Sequence, residues 1–148
     1  MSILNNQALI AAMAAWTVAQ TIKLPIDYAR TRRWDWSLLF RAGGMPSSHS
    51  ALVTATAHGI GLSEGFDSPL FALAISVAMV VIYDATGIRR QAGLHAEFIN
   101  TLVSDLLEGH PLSQETLREV LGHTPTEALA GIALGLLVST LTINFWPA

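Results

Sequence analysis

Cysteine is missing altogether from this chain, which excludes disulfides, thiol catalysis and cysteine-type zinc sites. Charge is the next scarcity. Only 13% of residues are Asp, Glu, Lys or Arg, against about 25% in ordinary soluble domains. With 51% apolar residues and a mean hydropathy of +0.45, there is too little polar surface to coat a water-soluble globule. A net charge of −3 offers no electrostatic footprint for nucleic acid. No basic residue precedes the first apolar run, since Lys23 is the first of the eight. The N-terminal run therefore reads as a retained membrane segment rather than a cleaved signal, and no lipidation signal is visible. At 148 residues, 1–148 is expected to form a single domain.

What is present is four stretches without formal charge: Met1–Ile22, Ala42–Ser63, Ser68–Tyr83 and Ala128–Ala148. A spanning helix needs about 20 apolar residues. The first and last stretches satisfy that. The third does so only by running on to about Gly87 with Asp84 at the interface. The second opens on a polar string, so its helix is expected to start near Ser47, and Gly59 and Gly61 weaken its end. The expected fold is an all-α bundle of about four thin membrane segments. Between the last two spans Leu94, Phe98, Leu102 and Leu106 recur every fourth residue beside Ile99 and Val103, marking an amphipathic interfacial helix. After Gly109-His110-Pro111, Ser113 can cap a shorter helix through about Leu121, ended by Gly122.

All eight basic residues fall in two connections. Lys23, Arg30, Arg32, Arg33 and Arg41 accompany Trp34 and Trp36 in the first, and Arg89, Arg90 and Arg118 lie in the second. If the spans alternate, both connections emerge on one membrane face. A positive-inside bias explains that asymmetry, and so does one polar active site at one interface.

Two strings can carry chemistry. In Gly43-Gly44-Met45-Pro46-Ser47-Ser48-His49-Ser50, glycines permit close backbone approach to a ligand. Ser47 and Ser48 stand where a helix begins, and unpaired N–H groups there attract phosphate oxygens. An ordinary helix cap explains Pro46 and Ser47 but leaves His49 at the mouth of an apolar segment unexplained. The second string is His123-Thr124-Pro125-Thr126-Glu127. Thr124 and Glu127 form a capping box, which accounts for Glu127 structurally. His123 lies outside it, four residues from a carboxylate able to fix its tautomer, and such an imidazole is a competent nucleophile toward phosphorus. Lys23, Arg30, Arg32, Arg89 and Arg90 suit electrostatic clamping of a phosphoryl group. Taken singly, each is better explained by snorkelling or headgroup contact, and only the whole set on one face favours a phosphate site.

Together the strings resemble the divergent branch of the type 2 phosphatidic acid phosphatase family, whose wider superfamily includes vanadium-dependent haloperoxidases. Those that carry the resemblance are Ala19-Gln20-Thr21-Ile22-Lys23-Leu24-Pro25, Asp35-Trp36-Ser37-Leu38-Leu39, Gly43 through Ala51, Tyr83 through Gly93, and Leu121 through Pro125 with Glu127. The wider family reads Lys-x6-Arg-Pro, Pro-Ser-Gly-His and Ser-Arg-x5-His-x3-Asp. Lys23 and Arg30 keep the first spacing, but Thr31 replaces the proline, so Arg32 is an equal candidate. Ser48 stands for the glycine of the second motif, and Glu127 for the aspartate of the third. Arg118 is one residue too near His123 for the remaining arginine, leaving Arg89 or Arg90. A rival alignment pairs Arg89 with His95 but puts Ile99 where the carboxylate belongs.

The resemblance implies metal-independent hydrolysis of lipid phosphate monoesters or diphosphates through a phosphohistidine, with no cofactor. His123 is the expected nucleophile, Glu127 its orienting group and His49 the acid and base. Lys23, Arg30 or Arg32, Ser47, Ser48, and Arg89 or Arg90 would bind phosphate, supported by Asp84 and Gly44. The expected partners are a lipid phosphate and the bilayer, with self-association as a further option. The expected location is a bacterial-type plasma membrane. Two other classes compete: a non-catalytic phosphate-headgroup binding or transport protein, and a metal hydrolase built on His49, His123, His95 and Asp84.

Overall fold

The computed structural model describes residues 5–40, 43–107 and 123–146. Five α-helices and one 3-10 turn make up the described chain. Helix α1 is Gln7–Thr31, α2 Ser48–Glu64, α3 Pro69–Thr86, α4 Ile88–Leu107 and α5 Pro125–Phe145; the turn is Trp36–Leu39. The expected helix from Ser113 lies outside the described residues, as do Arg41, Arg118 and Gly122.

Each start has a local cause. Asn6, Ser47, Ser68 and Thr124 accept hydrogen bonds from Leu9, Ser50, Phe71 and Glu127 N–H groups, satisfying donors that a first turn leaves open. Pro69 and Pro125 occupy first-turn positions whose N–H would be unused. α2 ends where Gly65 takes φ 97°, a conformation that costs glycine nothing.

Three helices, α1, α5 and the continuous run from Pro69 to Ser104, are long and apolar enough to cross a membrane. The 17 residues of α2 reach about 25 Å, slightly short of a ~30 Å hydrocarbon core. α2 is nonetheless the centre of the bundle, packed against α1, α3 and α5. α4 leans on α3, from which only Gly87 separates it.

The packing is small-in, large-out. Ala15, Ala19, Ala51 and Ala55 form the core, with Leu134 and Val138 against it. Leu73, Val77, Met79, Val80 and Leu137 face outward. Lipid is as apolar as leucine, so close backbone approach rather than burial of large side chains holds such helices together. Gly131 and Gly135, one turn apart on α5, lie against the backbone of α2. A Cβ on Gly131 would collide with the Ser47 carbonyl, and one on Gly135 would stand 2.6 Å from the Ala51 carbonyl.

Two boundaries differ from the sequence reading. α1 does not stop at Ile22 but continues through Pro25 to Thr31, two turns into the expected connection. Gly59 and Gly61 do not interrupt α2. The helix runs through both, Gly59 against Ala8 and Gly61 under Phe66 and Phe71.

Candidate functional site

α1 and α3 end, and α2 and α5 begin, at one end of the bundle, and each supplies a piece of one site. His123 is 3% exposed, and its N–H donates to the Ala85 carbonyl near the end of α3 at 2.9 Å. Its ring is oriented by α5: Nδ1 lies 3.1 Å from Glu127 Oε2. An ionised carboxylate only accepts, so Nδ1 is the donor of this pair, and in the neutral ring Nε2 carries the lone pair.

The same Oε2 also accepts from the Thr124 N–H at 3.1 Å, while the Glu127 N–H donates to Thr124 Oγ1 at 3.3 Å. Capping α5 and orienting His123 are therefore the work of one oxygen. Glu127 has a third role through its main chain, whose carbonyl accepts from the Ser47 N–H at 2.9 Å. That bond ties the start of α5 to the start of α2.

His49 enters from the first turn of α2. Its ring centroid is 5.9 Å from that of His123, at 61° between planes. Seventy-four positions apart in sequence, the two imidazoles meet. Ser47 is fully buried and committed to the fold: its hydroxyl accepts from Ser50 N–H at 3.2 Å and its N–H goes to Glu127. Ser48 faces the cation instead.

That cation is Lys23, 2% exposed near the C-terminal end of α1. Its Nζ donates to Gln20 Oε1 at 2.8 Å and to Ser48 Oγ at 3.4 Å. Both hydrogen-bond partners are neutral, and the carboxyl groups of Asp27 and Glu127 line the same cavity. Lys23, Arg30, Gly44 and Glu127 share a cavity of about 70 Å³ with Ile26, Asp27, Leu38 and Met45. Gly44 has φ 78°, and a Cβ there would sit 3.9 Å from the Lys23 stem.

The other expected residues fall differently. Arg32 caps α1 in the left-handed region, φ 58°, and is exposed. Asp84 is half-buried in the last turn of α3. Arg89 and Arg90 open α4, and their side chains lie outside the described residues. His95 stands apart, lining a groove of about 470 Å³ with Tyr83, Gly87, Gln91 and Ala92. Among the described residues, no three His, Cys, Asp or Glu side chains group closely enough to hold a metal ion, so the His49, His123, His95 and Asp84 set is not assembled.

Sequence reasoning missed Gln20, which is buried beside Lys23. The signal was available: the buried stripe of α1, Ala12, Ala15, Ala19 and Lys23, is helically spaced, and Gln20 lies on it.

Against known proteins, the profile of the divergent PAP2 family matches residues 4–138. The chain is 41% identical over 157 aligned positions to "Uncharacterized membrane protein YuiD" of Bacillus subtilis (strain 168), covering 99% of each chain. No solved structure matches. With family match, relative and apolar helices in agreement, this chain is a membrane protein and belongs to the divergent PAP2 family.

Proposed function

We propose that the protein hydrolyses lipid phosphate esters by covalent catalysis at histidine. The observation that carries this reading is the meeting of the His49 and His123 rings, 5.9 Å apart, with a carboxylate on His123 Nδ1. A buried lysine beside Ser48 supplies the attraction for the anion.

In the first step Nε2 of His123 attacks phosphorus, forming the N–P bond as the P–O bond to the lipid breaks. His49 gives its proton to the departing alkoxide. Glu127 stabilises the positive charge that develops on the His123 ring. Lys23 and Arg30 neutralise the equatorial oxygens, where charge concentrates during phosphoryl transfer. In the second step water attacks phosphorus, His49 takes its proton, and the N–P bond breaks to release inorganic phosphate.

Purified protein in detergent is expected to release phosphate from phosphatidic acid or an isoprenoid diphosphate in the presence of EDTA, and His123→Ala to abolish the release. Binding of either lipid without any release by the wild-type protein would replace the hydrolase with a headgroup-binding protein. Release that stops in EDTA would replace it with a metal enzyme.

A further inference from the structure

We propose that Gln20 is a positioning residue of the phosphate site: it aims the Lys23 ammonium and fixes the wall opposite it. The inference rests on the reading of Lys23 as a phosphate ligand.

Gln20 is 8% exposed and lies three residues before Lys23, hence on the same face of α1. Its Oε1 accepts from Lys23 Nζ at 2.8 Å. Its Nε2 donates to two carbonyls of the 3-10 turn, Leu39 at 2.8 Å and Leu38 at 3.3 Å. The amide cannot be turned over. A flip would set Oε1 against two carbonyl oxygens and the NH2 group against an ammonium, and every contact would become repulsive. One rigid amide thus joins the cation to the turn. Leu38 of that turn and Lys23 both line the 70 Å³ cavity, so Gln20 sets the position of both.

Lysine needs such help. Its stem is flexible and its head is a point charge with no geometry of its own. Among the described residues the ammonium donates to Gln20 and Ser48, which leaves one of its three donors for an incoming oxygen. Gln20 itself need never touch substrate.

The test is a double-mutant cycle on the full chain in detergent, with Gln20→Leu and Lys23→Met singly and together. Inorganic phosphate affinity is read from the rise in unfolding temperature, at ionic strength matched with chloride. Gln20→Leu is expected to weaken phosphate binding about tenfold, as befits a lost hydrogen bond to a charged group. It is expected to weaken binding distinctly less once Lys23→Met is present, because only its effect through the turn then remains. Equal weakening in both backgrounds would overturn the proposal, because Gln20 would then act through the turn alone. So would unchanged affinity in the single variant. Absence of any phosphate effect on the wild-type protein would sink the phosphate site itself and this inference with it, an outcome distinct from the other two.

Discussion

A carboxylate that serves two hydrogen bonds through one oxygen can be dissected by an isosteric change. Glutamine at position 127 can still accept from the Thr124 N–H, so the cap of α5 survives Glu127→Gln. The neutral amide no longer stabilises an imidazolium on His123, whose Nδ1 lies 3.1 Å away. A hydrogen bond to a charged group is worth about 1.5–3 kcal/mol, so the rate of phosphate release is expected to fall about 10- to 150-fold. The unfolding temperature should scarcely move. Glu127→Ala removes the reciprocal half of the capping box and the orienter together, and is expected to lower both stability and rate. Comparable rates for Glu127→Gln and wild type would leave Glu127 as a cap only. If His49 is the acid and base of the proposed reaction, His49→Ala should cost about 10²–10⁴ in rate, with a larger penalty on substrates whose leaving groups are poor.

At the scale of helices, the separation of the two imidazoles depends on how closely α5 approaches α2. Gly131 touches the backbone at Ser47, which caps α2 two residues before His49. Gly135 touches the next turn, at Ala51 and Thr54. An added methyl at either position forces the helices apart and costs about 1–3 kcal/mol. The unfolding temperature should fall in both Gly131→Ala and Gly135→Ala. Activity should fall further in the first, because the strain lands on the Ser47–Glu127 bond that joins the two halves of the site. Equal activity losses at equal stability loss would count against that bond as the link.

These glycines also mark the limit of what the sequence discloses. The Gly131-x3-Gly135 spacing is written plainly in it, but a glycine pair names no partner, and only the packed bundle assigns it to α2. Spans, caps and the histidine pair were legible, because hydropathy, capping residues and motif order are local signals. The end of α1 was not. Hydropathy reports where a helix leaves lipid, whereas backbone hydrogen bonds carry α1 on through Pro25 to Thr31. Nor could the choice between Arg30 and Arg32 be read from spacing. Arg30 lines the cavity and Arg32 occupies the left-handed turn after α1, a difference in setting that spacing does not carry.

For the whole molecule, the consequence is a bundle with two unlike ends. Lys23, His49 and His123 gather at the end where α1 and α3 finish, while Gly65 through Ser68 turn the chain at the opposite end. Tyr28, Trp34 and Trp36 stack in series at the site end, with ring centroids 4.5 and 6.0 Å apart. Trp34 and Trp36 are 56% and 63% exposed, as suits indoles at headgroup depth beside Arg30 and Arg33. Lack of native cysteine makes the placement of the two ends across the bilayer directly measurable. Ser37, in the exposed turn of the site end, and Asp67, in the exposed turn between α2 and α3, lie at opposite ends of the bundle. In sealed vesicles of one orientation, a membrane-impermeant maleimide added outside is expected to label one of Ser37→Cys and Asp67→Cys and spare the other until the vesicles are opened. Labelling of both from one side would mean that α2 does not cross. The site and the far turn would then share a leaflet, against the proposal that a lipid headgroup enters the cavity from one interface.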